Sequence, residues 1–285
     1  MRLTASEFRH VFDPSEAAGV PSYLNDHTII RAEDGSWHLF SITHPEPANP
    51  AEEKTFLHAR AGDVEGPWHT LDPALVVDPD YHGERHLWAP HVIRADRRYW
   101  MFYAAGGDDP TREAINLATS EDLYHWTRHP DGPLFRDGFS ARDPMVVWTG
   151  DEWTMYYCAT DDPSGGRHVV AYRCSEDLVH WDDRKIAFTS ERSGTGGGPA
   201  ESPFVLWEQG SWYLFIGPCG AYAKTPDGYV CTAVYESDNP WEFSREGLRT
   251  RIASHAAEVV DNRLITSAGW GQGGLYLADL VWERD

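Results

Sequence analysis

A fivefold repeat dominates the chain. Each copy has a short polar lead, an apolar strand, a turn, an aromatic strand and a third strand that often ends in Trp. The first copy reads NDHTII, AEDG and SWHLFSI, and the second reads WAPHVI, RADR and RYWMFYAA, followed by AINLATSEDLYHW. The third reads RDPMVV, WTGD and EWTMYYCA, followed by VVAYRCSEDLVHW. The fourth reads ESPFVL, WEQG and SWYLFIG, followed by YVCTAVYESDNPW, and the fifth reads HAAEVV, DN and RLITSAG, followed by GGLYLADLVW. Placing Asp26, Ala89, Asp143, Ser202 and Ala256 in one register gives steps of 63, 54, 59 and 54 residues.

Units of this length, rich in β-branched and aromatic residues and separated by Gly, Asp and Pro turns, read as propeller blades. A blade cannot bury both faces alone, so the copies must pack in a ring. The expected fold is all-β, a single-domain five-bladed β-propeller over residues 1–285. The fifth copy ends barely past its third strand. The segment around EFRHVF near the N-terminus is therefore expected to supply the missing outer strand and close the ring.

Composition narrows the function. With 24 Lys and Arg against 45 Asp and Glu, the net charge of −21 disfavours nucleic acid or any other polyanion as partner. No run approaches the roughly 18 apolar residues of a membrane span, and the N-terminus has no apolar leader core. A cytoplasmic protein is expected, unless a leader has been removed. The cysteines at 158, 174, 219 and 231 lack C-x-x-C spacing, which argues against zinc. Free buried thiols are the default, with Cys158–Cys174 and Cys219–Cys231 as the pairings that would each fall within one hairpin.

In a propeller the first strand of each blade lines the central channel, so the residues that begin these strands converge at one mouth. Those positions carry Asp26, Asp143 and, one residue before Ser202, Glu201; blade two has Ala89, and blade five has His255 just before Ala256. A single Asp before a strand is ordinary turn chemistry. Three carboxylates at matched positions in only some blades point to a site. Crowded in a partly desolvated cleft they cannot all ionise freely, so at least one pKa rises. A protonated acid beside ionised carboxylates is what cleavage of a glycosidic bond requires.

The order Asp, Asp, Glu, with leads NDH, RDP and ESP, resembles the furanosidase superfamily that includes glycoside hydrolase families 43 and 32. RDP and the SEDLYHW and SEDLVHW strand endings are similar to the β-fructosidases, whereas LWAPHV and His255 are similar to the arabinofuranosidase and xylosidase group. The resemblance implies a glycosidase cleaving an arabinofuranosyl, fructofuranosyl or related linkage. Asp26 would be the nucleophile with retention of configuration or the general base with inversion, Asp143 a stabiliser that tunes its neighbours, and Glu201 the general acid. It also implies that His255 lies near an axial ion, often calcium held largely through water; no organic cofactor is implied. NDH lacks the NDPNG of family 32, ESP stands for its ECP, and no room remains for its C-terminal β-sandwich.

Other residues are candidates for substrate binding. Asn25 precedes Asp26. Arg142 would hold a sugar hydroxyl or pair with a carboxylate, and Trp88 and Trp270 would stack on a sugar face. Trp126 and Trp181 read as blade packing. His91 and Glu258 lie on channel-lining strands, within reach of either the pocket or the axial cavity. The GTGGG run at 194–198 lacks the Lys-Ser or Lys-Thr of a phosphate loop and reads as a rim before Glu201. The alternatives are a non-catalytic carbohydrate-binding propeller, or a glycosyltransferase or phosphorylase, for which Arg85, His86 and Arg142 would offer an anion pocket.

Overall fold

Alternate residues of nearly every strand face different neighbours, and this fixes the architecture. In the second strand of blade two, Arg98–Ala105, Tyr99, Met101 and Tyr103 pack toward blade one, while Phe102 and Ala104 pack toward blade three. Both faces of the strand are buried, which accounts for the nearly continuous apolar runs in the repeats. Five such clusters lie between successive blades, the last joining Leu24 and Leu39 of blade one to Leu264 and Leu275 of blade five. Trp126 and Trp181 belong to this packing, edge-on to Phe40 and Phe102.

The structure, a computed structural model, describes residues 2–107, 109, 112–138, 141–194, 198–219 and 229–283. It is a five-bladed β-propeller. Blades one to four are antiparallel sheets whose inner strands are Ser22–Arg31, Trp88–Ala95, Arg142–Trp148 and Glu201–Glu208. Blade five runs outward from Val259–Val260 through Leu264–Ser267 to Leu275–Glu283. The ring closes as expected, but over a longer segment. Arg2–Ala5 pairs with Leu275–Glu283 from Arg2 opposite Glu283, and Arg9–Phe12 pairs with the same strand from Arg9 opposite Leu277. Among the described residues no helix is long and apolar enough to cross a membrane.

The five residues aligned from sequence share one backbone state. Asp26, Ala89, Asp143, Ser202 and Ala256 have φ of 23°, 48°, 57°, 47° and 46°, a left-handed conformation that side-chain-bearing residues seldom adopt. In blades one to four this residue sits in a bulge, where the register with the second strand slips. Bulges re-aim side chains. Here they turn the start of each inner strand toward the channel mouth.

The SEDLYHW and SEDLVHW endings are hydrogen-bonded turns. Asp122 accepts the N–H groups of Tyr124 and His125 while Ser120 Oγ accepts that of Leu123, and Asp177 and Ser175 repeat the pattern. Cys158 and Cys174 are free and buried as expected, but Cys219 and Cys231 form a disulfide. Cys219 N donates to Cys231 O at 3.1 Å, which holds the two Cα atoms 5.2 Å apart, within bonding range.

Candidate active site

At the mouth of the ring the bulged leads border a cavity of about 290 Å³. Asp26, Asp143 and Glu201 all line it, together with Asn25, Trp88, Arg142, Trp270 and His255 from the sequence candidates. Asp143 is buried, whereas Asp26 and Glu201 are partly open to the cavity. Ser202 ties the trio together. Its Oγ donates to Asp26 Oδ1 at 2.6 Å, its backbone N–H donates to Asp143 Oδ2 at 2.9 Å, and it follows Glu201 in the chain.

The charges are strongly coupled. Burial first, then the charge of Asp143, hold the Asp26 carboxyl well above its usual range, against the stabilising bond from Ser202. Burial and Asp143 also push Glu201 up, while Arg142 works in the other direction. Arg142 Nη2 donates to Glu201 Oε1, and its Nε lies 3.9 Å from Asp143 Oδ1. The Gly198 N–H, at the end of the glycine run, donates to Glu201 Oε1 at 3.2 Å. A Cβ on Gly198 would lie 2.6 Å from the His168 ring, so only glycine allows this approach. Positions 195–197 of that run lie outside the described residues.

Two further residues, Glu53 and Tyr229, line the cavity and, like Trp270, come from connections between second and third strands. Glu53 comes from blade one, Tyr229 from blade four and Trp270 from blade five. Only Trp270 stands among the candidates read from sequence; Glu53 lies in a segment without repeat character, and Tyr229 opens the repeat run YVCTAVYESDNPW, whose pattern gives it no site role. Tyr229 stacks on His255 with ring centroids 3.7 Å apart, lies parallel to Trp270, and donates its hydroxyl to Asn25 Oδ1 at 3.2 Å. Glu53 Oε1 accepts Tyr23 Oη at 2.7 Å and Trp270 Nε1 at 3.0 Å. Trp88 forms the opposite aromatic element, stacked on His86 and donating its indole N–H to Pro50 O.

His91 stands elsewhere. It lines a narrower axial cavity of about 30 Å³ with His27 and Glu258, where its Nδ1 lies 3.3 Å from Glu258 Oε1 and its Nε2 3.2 Å from Val146 O. Its position three residues beyond Trp88 along the inner strand carries it past the mouth, into a cavity that Asp26, Asp143 and Ser202 also line. His255 lines the upper cavity instead, its Nδ1 on Tyr229 O and its pKa pushed down to about 4 by burial. Among the described residues no three His, Cys, Asp or Glu side chains form a group able to hold a metal ion. Of the three residues suggested for phosphorolysis, His86 is held by Glu113 and Arg142 by Glu201, while Arg85 is exposed.

The family model "Glycosyl hydrolases family 32 N-terminal domain" matches residues 20–249. The chain belongs to this family. This family-32 chain is 29% identical over 225 residues to a probable arabinan endo-1,5-alpha-L-arabinosidase A of Aspergillus niger, covering 76% of the chain and 64% of the fungal protein. It is 26% identical over 212 residues to a probable sucrose-6-phosphate hydrolase of Vibrio cholerae, covering 71% and 37%. The matches thus span less than two thirds of either curated relative. A family 43 endo-arabinanase from Bacillus licheniformis has the same fold, with a TM-score of 0.66 at 18% identity over 92% of this chain and 95% of that one.

Proposed function

We propose that this family-32 chain is a glycoside hydrolase that cleaves an arabinofuranosyl, fructofuranosyl or related linkage. The observation that carries the reading is the meeting of Asp26, Asp143 and Glu201, from three blades, on one aromatic-walled cavity. Glu201 is the general acid: burial and the Asp143 charge favour its protonated form. Once its proton passes to the glycosidic oxygen, Arg142 and the Gly198 N–H stabilise the carboxylate that remains. Asp26, its anion supported by Ser202 Oγ, acts at the anomeric carbon, directly or through an activated water. Asp143 stabilises the positive charge that develops on the sugar. Trp88, Tyr229 and Trp270 offer aromatic faces to the ring.

Chromogenic α-L-arabinofuranoside and β-D-fructofuranoside substrates, with pyranosides as controls, test the reading. Asp26→Asn should lower kcat on these substrates by roughly a hundredfold or more, and Glu201→Gln should do so on oligosaccharides, whose alcohol leaving group needs a proton. The Glu201→Gln loss should shrink on substrates whose leaving group needs no protonation. Full activity in both variants would remove the assignment.

A further inference from the structure

The cavity holds one carboxylate for which the hydrolytic scheme has no use. Glu53 is only 1% exposed, yet it lines the cavity. Both of its hydrogen bonds, from the Tyr23 hydroxyl and the Trp270 indole, arrive at Oε1. An ionised carboxylate has about four acceptor positions, so acceptor capacity remains on Oε2. Buried anions need donors to replace lost water. A sugar in the cavity supplies hydroxyl donors of the right kind.

The electrostatic balance points the same way. Among the described residues four carboxyl groups, Asp26, Glu53, Asp143 and Glu201, line the cavity with one arginine, Arg142, which is already bound to Glu201. Burial keeps His255 neutral near pH 7, so it adds no compensating charge. A phosphate or carboxylate on the bound sugar would meet like charge at any ionised carboxylate here, and the one cationic side chain among the described lining residues, Arg142, is taken by Glu201. At about 6 Å and an effective dielectric near 20, one such repulsion weakens binding by roughly a hundredfold.

We propose that Glu53 is the specificity-determining residue of this site, accepting hydroxyls of an uncharged sugar and barring one that carries phosphate or carboxylate beside it. The inference builds on the glycosidase reading by naming its substrate class, but the contact itself needs no turnover. Glu53 also fixes Trp270, and so joins blade one to blade five at the cavity wall.

Isothermal titration at pH 7.5 with L-arabinose, D-fructose and D-fructose 6-phosphate tests it. Wild type should bind the better neutral sugar at least tenfold more tightly than the phosphate. Glu53→Gln should weaken neutral-sugar binding by roughly tenfold, the loss of one charge-assisted hydrogen bond, and narrow the gap to the phosphate. If Glu53→Gln does not fold, Trp270→Phe carries the test, because it removes the indole donor and keeps the carboxylate. Retained discrimination in Trp270→Phe supports the charge of Glu53 as its source, and lost discrimination overturns it. Equal binding of neutral and phosphorylated sugars by wild type, binding of neither, or an unchanged Glu53→Gln variant also overturns it. Hydrolysis by Asp26→Asn and Glu201→Gln reports on the glycosidase reading separately, since these titrations depend on no turnover.

Discussion

Ser202 Oγ donates to Asp26 Oδ1 at 2.6 Å, a bond that crosses from blade four to blade one. It is the stabilising contact that opposes burial and the Asp143 charge at Asp26. Removing it should raise the Asp26 pKa further, because the anion loses a donor. Ser202→Ala is expected to move the acid limb of kcat/KM upward by about half to one pH unit and to lower the plateau by roughly tenfold. Ser202→Thr should restore much of both. A pH profile with the acid limb in its original place would show that Ser202 only packs.

Asp143 pushes both neighbouring carboxyls up, so its charge should be visible in both limbs of the profile. Taking that charge away lowers the Asp26 and Glu201 pKa values together. For Asp143→Asn the prediction is a fall in kcat, with acid and basic limbs both displaced downward by about one unit. The apparent values belong to the coupled group, so the joint displacement is the diagnostic. Movement of one limb alone, or upward movement, would contradict the coupling.

The inner-strand leads were legible because they repeat. Aligning five copies located the five residues that adopt the left-handed backbone, and with them two of the three carboxylates. Glu201 is instructive in its offset. It precedes the left-handed Ser202, whereas Asp26 and Asp143 are themselves left-handed, so its carboxyl enters from a different point of the bulge. The connections between second and third strands were not legible, since they differ in length and composition from blade to blade. Glu53 and Tyr229 come from them, and only contacts across the ring give these residues a role. For His91 the sequence left the pocket and the axial cavity open for the opposite reason. It has the repeat's regularity, but the regularity fixes only its strand, and its distance past the bulge places it in the axial cavity. Of the two cysteine pairings the hairpins offered, only Cys219–Cys231 forms, where Cys219 N meets Cys231 O.

The N-terminal strands should be indispensable to stability. Leu3 and Phe12 are buried by closure, each contributing about 1.5–3 kcal/mol, and their loss would leave Leu275–Glu283 as an open edge. Deleting residues 1–12 is therefore expected to lower Tm by about 10 °C or more in a chain of this size. Calorimetry checks this, and a melt that coincides with the full-length chain would refute closure as a source of stability.

His27 gives the fold a distinct acid sensitivity. Both of its ring nitrogens are buried without a hydrogen-bond partner among the described residues, and burial pushes its pKa down to about 4. The folded protein therefore keeps this ring neutral where the unfolded chain, with an ordinary histidine pKa near 6.5, takes up a proton. Protons bound only by the unfolded state destabilise the fold as pH falls, so the loss begins near 6.5 and is complete below about 4. Its full extent is about 3 kcal/mol. Raised carboxyls such as Asp26 and Glu53 act in the opposite sense over part of this range, so the absolute melt is not the test. His27→Leu removes the histidine and leaves those groups in place. The variant should gain several degrees of Tm on wild type between pH 6.5 and 4 and run parallel to it below that. A constant difference across the range would mean that His27 is protonated in the folded state and that the axial cavity accommodates its charge.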